Sequence, residues 1–359
     1  MSQLRTVQVL GGGAGSSAHV SSLAAGLVAR GVQVTVCAPA GSGQAQGLPA
    51  TGARFVAVPR RSDPASVAAL RTACTGADIV HAHGLHAAVR AGIALSGRAT
   101  PLVVTWHTRV HAEGTRGRLL RMLERRAARA AAVVLGTSWE LVDRARRRGA
   151  RDARLAPAAI PASRFAGAPD DGKTRAELGA VGRPLLVSVA QRGHDTLLDA
   201  ARAWRVLDPA PLLAVVGEGH LAGAVRRRIA AEGLPAVVAG GSDDIGELLA
   251  AADIAVLSGQ GEGGPLLARE ALRLGIPLVA ARADGVAELV GEAADLVPYG
   301  DAEALAGAVV RLLGDPGRRQ RLAGSGRAQA AGWPTEDDTI AHVLSVYDEL
   351  AQPLAAART

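Results

Sequence analysis

Two series of short, apolar runs rich in valine and leucine, separated by a stretch of prolines and small residues, constrain this chain more than any other feature. The first series falls at residues 6–10, 33–37, 55–58, 79–82, 102–105 and 133–136. The second falls at 185–189, 212–216, 236–239, 254–257 and 278–281. Runs of four or five apolar residues that do not alternate with polar ones are strands buried on both faces. Helix-length segments between them make parallel sheets covered on each side. Between the series, residues 156–170 are rich in Pro, Ala and Gly, which predicts a linker with a boundary near 165. A chain of 359 residues is long enough for two such domains, each with its own core. The expected division is 1–165, 166–335 and a final helix over 336–359.

Only 2% of the residues are aromatic while 48% are hydrophobic, so the cores must be built from Ala, Val and Leu. No apolar run reaches the roughly 18 residues that span a bilayer. Residues 1–5 lead directly into a strand without a signal-peptide core, and Cys37 and Cys74 match no metal-ligand spacing. A cytoplasmic protein is the expectation. The formal charge is +7, and Arg116, Arg118, Arg121, Arg125, Arg126 and Arg129 share one predicted helix with Leu119, Leu120, Met122 and Leu123. Arg144, Arg146, Arg147 and Arg148 form a second basic cluster. The plain reading is a solvated helix face. The sharper one is a peripheral contact with the anionic inner face of a membrane, since basic amphipathic helices bind such surfaces. Nucleic acid is disfavoured, because almost no aromatics are available to stack on bases.

The segment with most chemistry holds Glu262 and Glu270 with seven residues between them, and Gly263, Gly264 and Pro265 after the first. A buried strand precedes it. A helix starting near Pro265, a favoured first-turn residue, would point free N–H groups at the crevice beyond the strand ends, where a diphosphate binds. One carboxylate would then lie on the loop and the other inside the helix. Further upstream, Gly11, Gly12, Gly13 and Gly15 form a glycine-rich turn before the helix that carries His19 and Val20. A dinucleotide fingerprint would need a third glycine where Ala18 stands and an acidic residue at the end of the second strand, which closes on Cys37. A nicotinamide enzyme is therefore disfavoured. His81 and His83 sit at the end of one predicted strand and His107 at the end of another, facing the crevice side of an α/β sheet. For His81 and His83 local hydrogen bonding at the sheet edge is the plainer reading.

These motifs, in this order, resemble the retaining glycosyltransferases of family 4. The resemblance implies an α/β GT-B fold: two Rossmann-like parallel-sheet domains facing each other across a cleft, with a C-terminal helix crossing back to the N-terminal domain. It implies a metal-independent transfer of a sugar from a nucleotide-sugar donor to an acceptor, with retention of configuration and no cofactor. It gives His107 and Glu262 the catalytic positions. Donor binding falls to Gly15, Arg192, Gly193, Gly217, Glu218, Gly219, Ser242, Asp243, Gly263, Gly264, Pro265, Leu266, Leu267 and Glu270. His19, His83 and Arg109 lie on the acceptor side. The acceptor itself is unknown, and residues 41–47 together with the segment after His107 would form its pocket. The sequence departs from the family in one loop: an arginine followed by Lys-Gly is expected after the strand at 185–189. Here Arg192 and Gly193 fill the second element and nothing fills the first, leaving Arg269, Arg282 or a residue of the opposite domain as substitutes. A weakened homologue serving as nucleotide-sugar sensor or protein scaffold is the alternative reading.

Overall fold

The computed structural model describes residues 3–10, 14–39, 51–59, 63–109, 114–157, 171–240, 245–260, 263–283 and 285–356. The chain divides into two compact units, Met1–Pro161 with Pro334–Thr359, and Ala162–Trp333.

In the first unit the order is β1 (Arg5–Leu10), α1 (Ala14–Ala29), β2 (Gln33–Ala38), β3 (Arg54–Ala57), α2 (Pro64–Ala73), β4 (Ile79–His83) and α3 (Leu85–Ala94). It continues with β5 (Leu102–Trp106), α4 (Gly114–Ala130), β6 (Val133–Gly136), α5 (Trp139–Arg147) and β7 (Ala153–Leu155). The seven strands pair in parallel as β3-β2-β1-β4-β5-β6-β7. The second unit holds α6 (Asp171–Leu178), β8 (Leu185–Val189), α7 (His194–Trp204), β9 (Leu212–Val216), α8 (Gly219–Glu232), β10 (Ala236–Ala239) and α9 (Ile245–Ala250). After these come β11 (Ile254–Leu257), α10 (Gly263–Leu274), β12 (Leu278–Ala281), α11 (Val286–Val290), β13 (Asp295–Val297), α12 (Ala302–Gly314) and α13 (Pro316–Ala331). Its six strands are also parallel, in the order β10-β9-β8-β11-β12-β13.

Both sheets are of the parallel, doubly covered kind that the uninterrupted apolar runs predict, and the inner strands are buried along their whole length. The edge strands β7 and β13, three residues each and only partly buried, carry too little apolar pattern to be read from sequence. The helix expected around His19 starts earlier, at Ala14, so Gly15 lies in its first turn and His19 in its second. Alanine and glycine let these layers close tightly. At Gly26 of α1, any Cβ would run into the Ile340 side chain.

Ile340 belongs to α14 (Glu336–Ala356), the last helix, which packs in the first unit as expected from the family resemblance. Ile340, Val343, Val346 and Tyr347 join the apolar layer of α1 against the sheet. At the rim the Thr339 hydroxyl donates to the Pro157 carbonyl (3.3 Å), and Arg154 meets Glu349 at 2.8 Å.

One basic cluster behaves differently from a solvated face. Glu124 of α4 is buried, and one of its oxygens accepts from Arg144 Nε and Nη2 (2.9 and 2.6 Å) while the other accepts from Arg148 Nε (2.7 Å). Two of the four arginines near residue 146 thus bind α5 to α4 instead of facing solvent. A carboxylate at the fourth turn position of an arginine-rich helix gives no hint of this in sequence.

Candidate active site

In the second unit β8 and β11 are neighbours at the point where the strand order turns back, with β9 and β10 on one side and β12 and β13 on the other. Ligands of open α/β sheets bind outside the carboxyl ends of strands at such a point. Two loops meet here. The Gln260 N–H donates to the Arg192 carbonyl (2.8 Å), and the Ser258 hydroxyl donates to the Gly193 carbonyl (3.1 Å). Gly193 has φ 94°, and a Cβ there would lie 2.8 Å from Gly259 Cα. From the end of β9, Gly217 comes so near that its Cβ would sit 2.6 Å from that of Ala190. The three backbones touch because the contact positions lack side chains.

The sequence-predicted donor residues Arg192, Gly193, Gly217 and Glu218 therefore stand on adjacent loops after β8 and β9, with Glu218 exposed at the N-cap of α8 and Gly219 opening that helix. Glu270, in α10, is buried, and its carboxylate accepts from Arg273 Nη2 (2.5 Å) and Nε (3.3 Å) one turn on. Glu262, Ser242 and Asp243 lie outside the described residues.

Two expectations need correction. Helix α10 begins at Gly263, two residues before Pro265. The Leu267 N–H then falls four residues after Gly263 and belongs to the helical ladder. The helical ladder gives no partner to the amides of Gly263 and Gly264, and Pro265 has no N–H. Glycine at two successive positions permits this earlier start, which a rule based on proline at the first turn overlooks. The second correction concerns Arg269. Its guanidinium lies over the Trp333 ring, 4.9 Å from the centroid, and burial pushes its pKa down to about 10. That stacking on α13's far end makes it a poor substitute for the family's loop arginine. Arg282 is exposed.

A residue that sequence reasoning missed stands in the same loop. Gln191 is 5% exposed, and neither of its amide atoms has a hydrogen-bond partner among the described residues. Its Oε1 is 3.2 Å from where a Cβ on Gly264 would be, so the amide faces the start of α10. Buried, unpaired polar groups are rare and call for a reason.

In the first unit the order turns back between β1 and β4. His83 ends β4, His107 follows β5, and His19 comes from α1, with ring centroids 5.2 Å apart for His19 and His107, 5.6 Å for His83 and His107, and 5.8 Å for His19 and His83. His83 Nδ1 is 3.3 Å from His107 Nε2 and its Nε2 is 2.9 Å from Gln8 Oε1. His81 Nδ1 is 2.6 Å from the Tyr347 hydroxyl and its Nε2 2.7 Å from Thr105 Oγ1. Gln8 Nε2 donates to the same Tyr347 hydroxyl at 3.0 Å. Burial holds all three ring pKa values down, that of His81 to about 3, with neighbouring imidazoles adding to the effect. His81, His83 and His107 are thus neutral imidazoles that can exchange hydrogen bonds with hydroxyls without carrying charge. Arg109 reaches Glu140, in the first turn of α5, at 3.7 Å. The glycines before Ala14 and residues 41–47 lie outside the described residues. Gln8, Thr105 and Tyr347 were not among the expected site residues. No periodicity or spacing marks them, since they meet across β1, β5 and α14.

Residues 14–161 match the model of the glycosyl transferase 4-like domain, and residues 175–315 match that of the glycosyl transferases group 1. The chain belongs to the family 4 glycosyltransferases. The family members it resembles include the phosphatidyl-myo-inositol mannosyltransferase of Mycobacterium leprae, 29% identical over 94% of this chain and 93% of that one. The MMP alpha-(1->4)-mannosyltransferase of Mycolicibacterium hassiacum is 31% identical over 52% of this chain and 46% of its own length. The chain spans about half the length of that relative, and 52% and 61% of two other curated ones. Among solved structures, Anabaena HepE in complex with UDP-glucose superposes with a TM-score of 0.78 at 20% identity, covering 98% of this chain and 99% of that one. The fold of this family member is therefore GT-B.

Proposed function

We propose that this chain transfers a sugar from a nucleotide-diphosphate donor to an acceptor hydroxyl with retention of configuration and without a metal. The observation that carries the reading is the meeting of the Arg192 and Gln260 loops at the sheet's switch point, two residues ahead of Glu262. In the transfer the bond between the anomeric carbon and the diphosphate breaks, one to the acceptor oxygen forms, and the acceptor hydroxyl's proton passes to the departing diphosphate. Charge develops on the departing diphosphate. Arg192, the backbone amides of Gly263 and Gly264 and the Gln191 amide would meet that charge, the last standing in for the family's loop arginine. Fixed donors aimed at developing charge are often the largest catalytic contribution. Glu270 would hold the ribose, Gly217, Glu218 and Gly219 with Ser242 and Asp243 the base side, Glu262 the sugar hydroxyls. His107 would line the reacting centre with His19, His83 and Arg109 towards the acceptor.

The test is calorimetric titration with UDP-, GDP- and ADP-sugars, followed by a donor-hydrolysis assay on any that bind. Binding with slow hydrolysis that the Glu262→Ala change removes is the expected result. Binding without turnover would overturn the transferase in favour of a nucleotide-sugar sensor.

A peripheral membrane contact is part of the same reading. On α4 the six arginines from Arg116 to Arg129 are exposed, and Leu119 (51%) and Met122 (58%) stand exposed among them. None of the described helices is long and apolar enough to cross a membrane. Anionic headgroups attract each such cation by about 1 kcal/mol. Vesicles containing phosphatidylserine should therefore co-sediment the protein, and exchanging Arg121, Arg125 and Arg126 for Glu should release it. Equal binding to neutral vesicles would sink the electrostatic contact.

A further inference from the structure

We infer that Tyr347, on the helix that ends the chain, is a positioning residue that fixes which nitrogen of His107 carries the proton. The inference rests on the reading of His107 as lining the reacting centre, but its test does not.

The hydrogen bonds form one continuous line, and their direction follows from what each group can give. The Tyr347 hydroxyl has a single proton. It accepts from Gln8 Nε2, so its own proton goes to His81 Nδ1. His81 is then protonated at Nε2 and donates to Thr105 Oγ1. With its Nε2 engaged on the hydroxyl, Gln8 turns Oε1 towards His83, which must donate from Nε2. A neutral imidazole that donates from Nε2 accepts at Nδ1, so His107 must donate from its Nε2 to His83. The end of the line is a neutral His107 with its proton directed inward and with Nδ1 as the ring nitrogen able to accept a hydrogen bond.

Every member of this line from Tyr347 to His83 is buried to 1% exposure or less, so bulk water does not compete for these bonds. Protonation would break the order, since an imidazolium has no acceptor. The groups facing His107 and its neighbours are the imidazoles of His19 from α1 and of His81 and His83 from β4, with the Tyr347 phenol from α14. Burial keeps all three shifted histidines neutral. The second direction of the line, with every proton reversed, needs Gln8 flipped and the hydroxyl donating to it. The Gln8 amide, giving Nε2 to the Tyr347 hydroxyl and Oε1 to His83, sets the first direction, and Tyr347 is the one group that carries it across to His81. The line thus couples an atom 240 residues away in sequence to the tautomer at His107.

The experiment is nitrogen-15 NMR of the full chain with labelled histidine, at neutral pH, in the native protein and in Tyr347→Phe. The native His107 should show a protonated Nε2 and an unprotonated Nδ1. In Tyr347→Phe, which keeps the ring's volume, the His107 signal should move towards a mixture of tautomers. Gln8→Met, which cuts the same line at β1 and leaves every residue of α14 in place, should do the same and guards against a folding defect in either variant. Donor hydrolysis should fall about tenfold in kcat with little change in KM, and its acid limb should move to higher pH. An unaltered His107 tautomer in both folded variants, or a native His107 protonated at Nδ1, overturns the inference. A shifted tautomer with unchanged hydrolysis leaves the line standing and removes His107 from the reacting centre.

Discussion

Lowering the pH from 6.5 to 5 should destabilise the first unit by about 2 kcal/mol through His81, with His83 adding in the same direction. Both are buried in the line between β4 and α14, and burial depresses their pKa values, that of His81 from 6.5 to about 3. In the unfolded chain the same imidazoles take up protons near pH 6.5. Below that value the unfolded state binds more protons than the folded one, so stability rises with pH and is lost as pH falls. Each withheld proton is worth about 1.4 kcal/mol per pH unit. The full contribution is present above pH 6.5. Since a single domain is marginally stable by about 5–15 kcal/mol, such a loss is large. Hydrogen exchange of β4 and α14 peptides, corrected for intrinsic rates, would read the first unit apart from the second. Protection should drop steeply between pH 6.5 and 5. His81→Gln with His83→Gln should flatten that slope. A native profile already flat across the window would mean that these imidazoles are protonated in the fold.

Replacing Gly259 by alanine should cost about 100-fold in donor turnover while the second unit stays folded. A Cβ at this position would collide with the Arg192 carbonyl oxygen and stand 2.8 Å from Gln191 Cγ and 2.9 Å from the Arg192 carbonyl carbon. The colliding atom is backbone, which cannot rotate away as a side chain end would. The loop after β8 must therefore move, and the Gln260 N–H to Arg192 carbonyl bond of 2.8 Å goes with it. Arg192, Gln191 and the approach to Glu262 all shift together. A misplacement of about 1 Å in a reacting geometry costs on the order of 10²-fold. Gly223→Ala in α8 is the control, because its Cβ would meet only the end of the Arg227 side chain at 3.6 Å. Donor hydrolysis and calorimetry on both variants decide it. Full activity in Gly259→Ala would show that the contact between the two loops does not position the donor groups.

Much of this arrangement was legible in the amino-acid order. Buried parallel strands announce themselves as runs such as those of β5, β8 and β11, because both faces of the sheet are covered and no polar alternation is needed. Glycine motifs such as Gly217-Glu218-Gly219 after β9 and Gly193 before α7 mark the turns where strands give way to helices. Local rules failed by small margins where a competing local choice existed. The start of α10 moved to Gly263 because two glycines can enter a helix ahead of the proline.

The amino-acid order carries which residues form strands and helices, that two parallel sheets result, and which loops follow the strand ends. These follow from periodicity, turn residues and spacing, all of which are properties of neighbouring residues. Which side chains meet is settled in the folded chain. It brought Tyr347 and Gln8, 339 positions apart, into one hydrogen bond. It set Glu124 between Arg144 and Arg148, and laid Arg269 on Trp333. Such contacts depend on directional bonds between side chains from different elements, and the need to pair buried polar groups fixes them only once the layers have closed. A polar residue inside an apolar run, such as Gln8 or His81, signals that a partner must exist, but the chain must fold before the partner has a number.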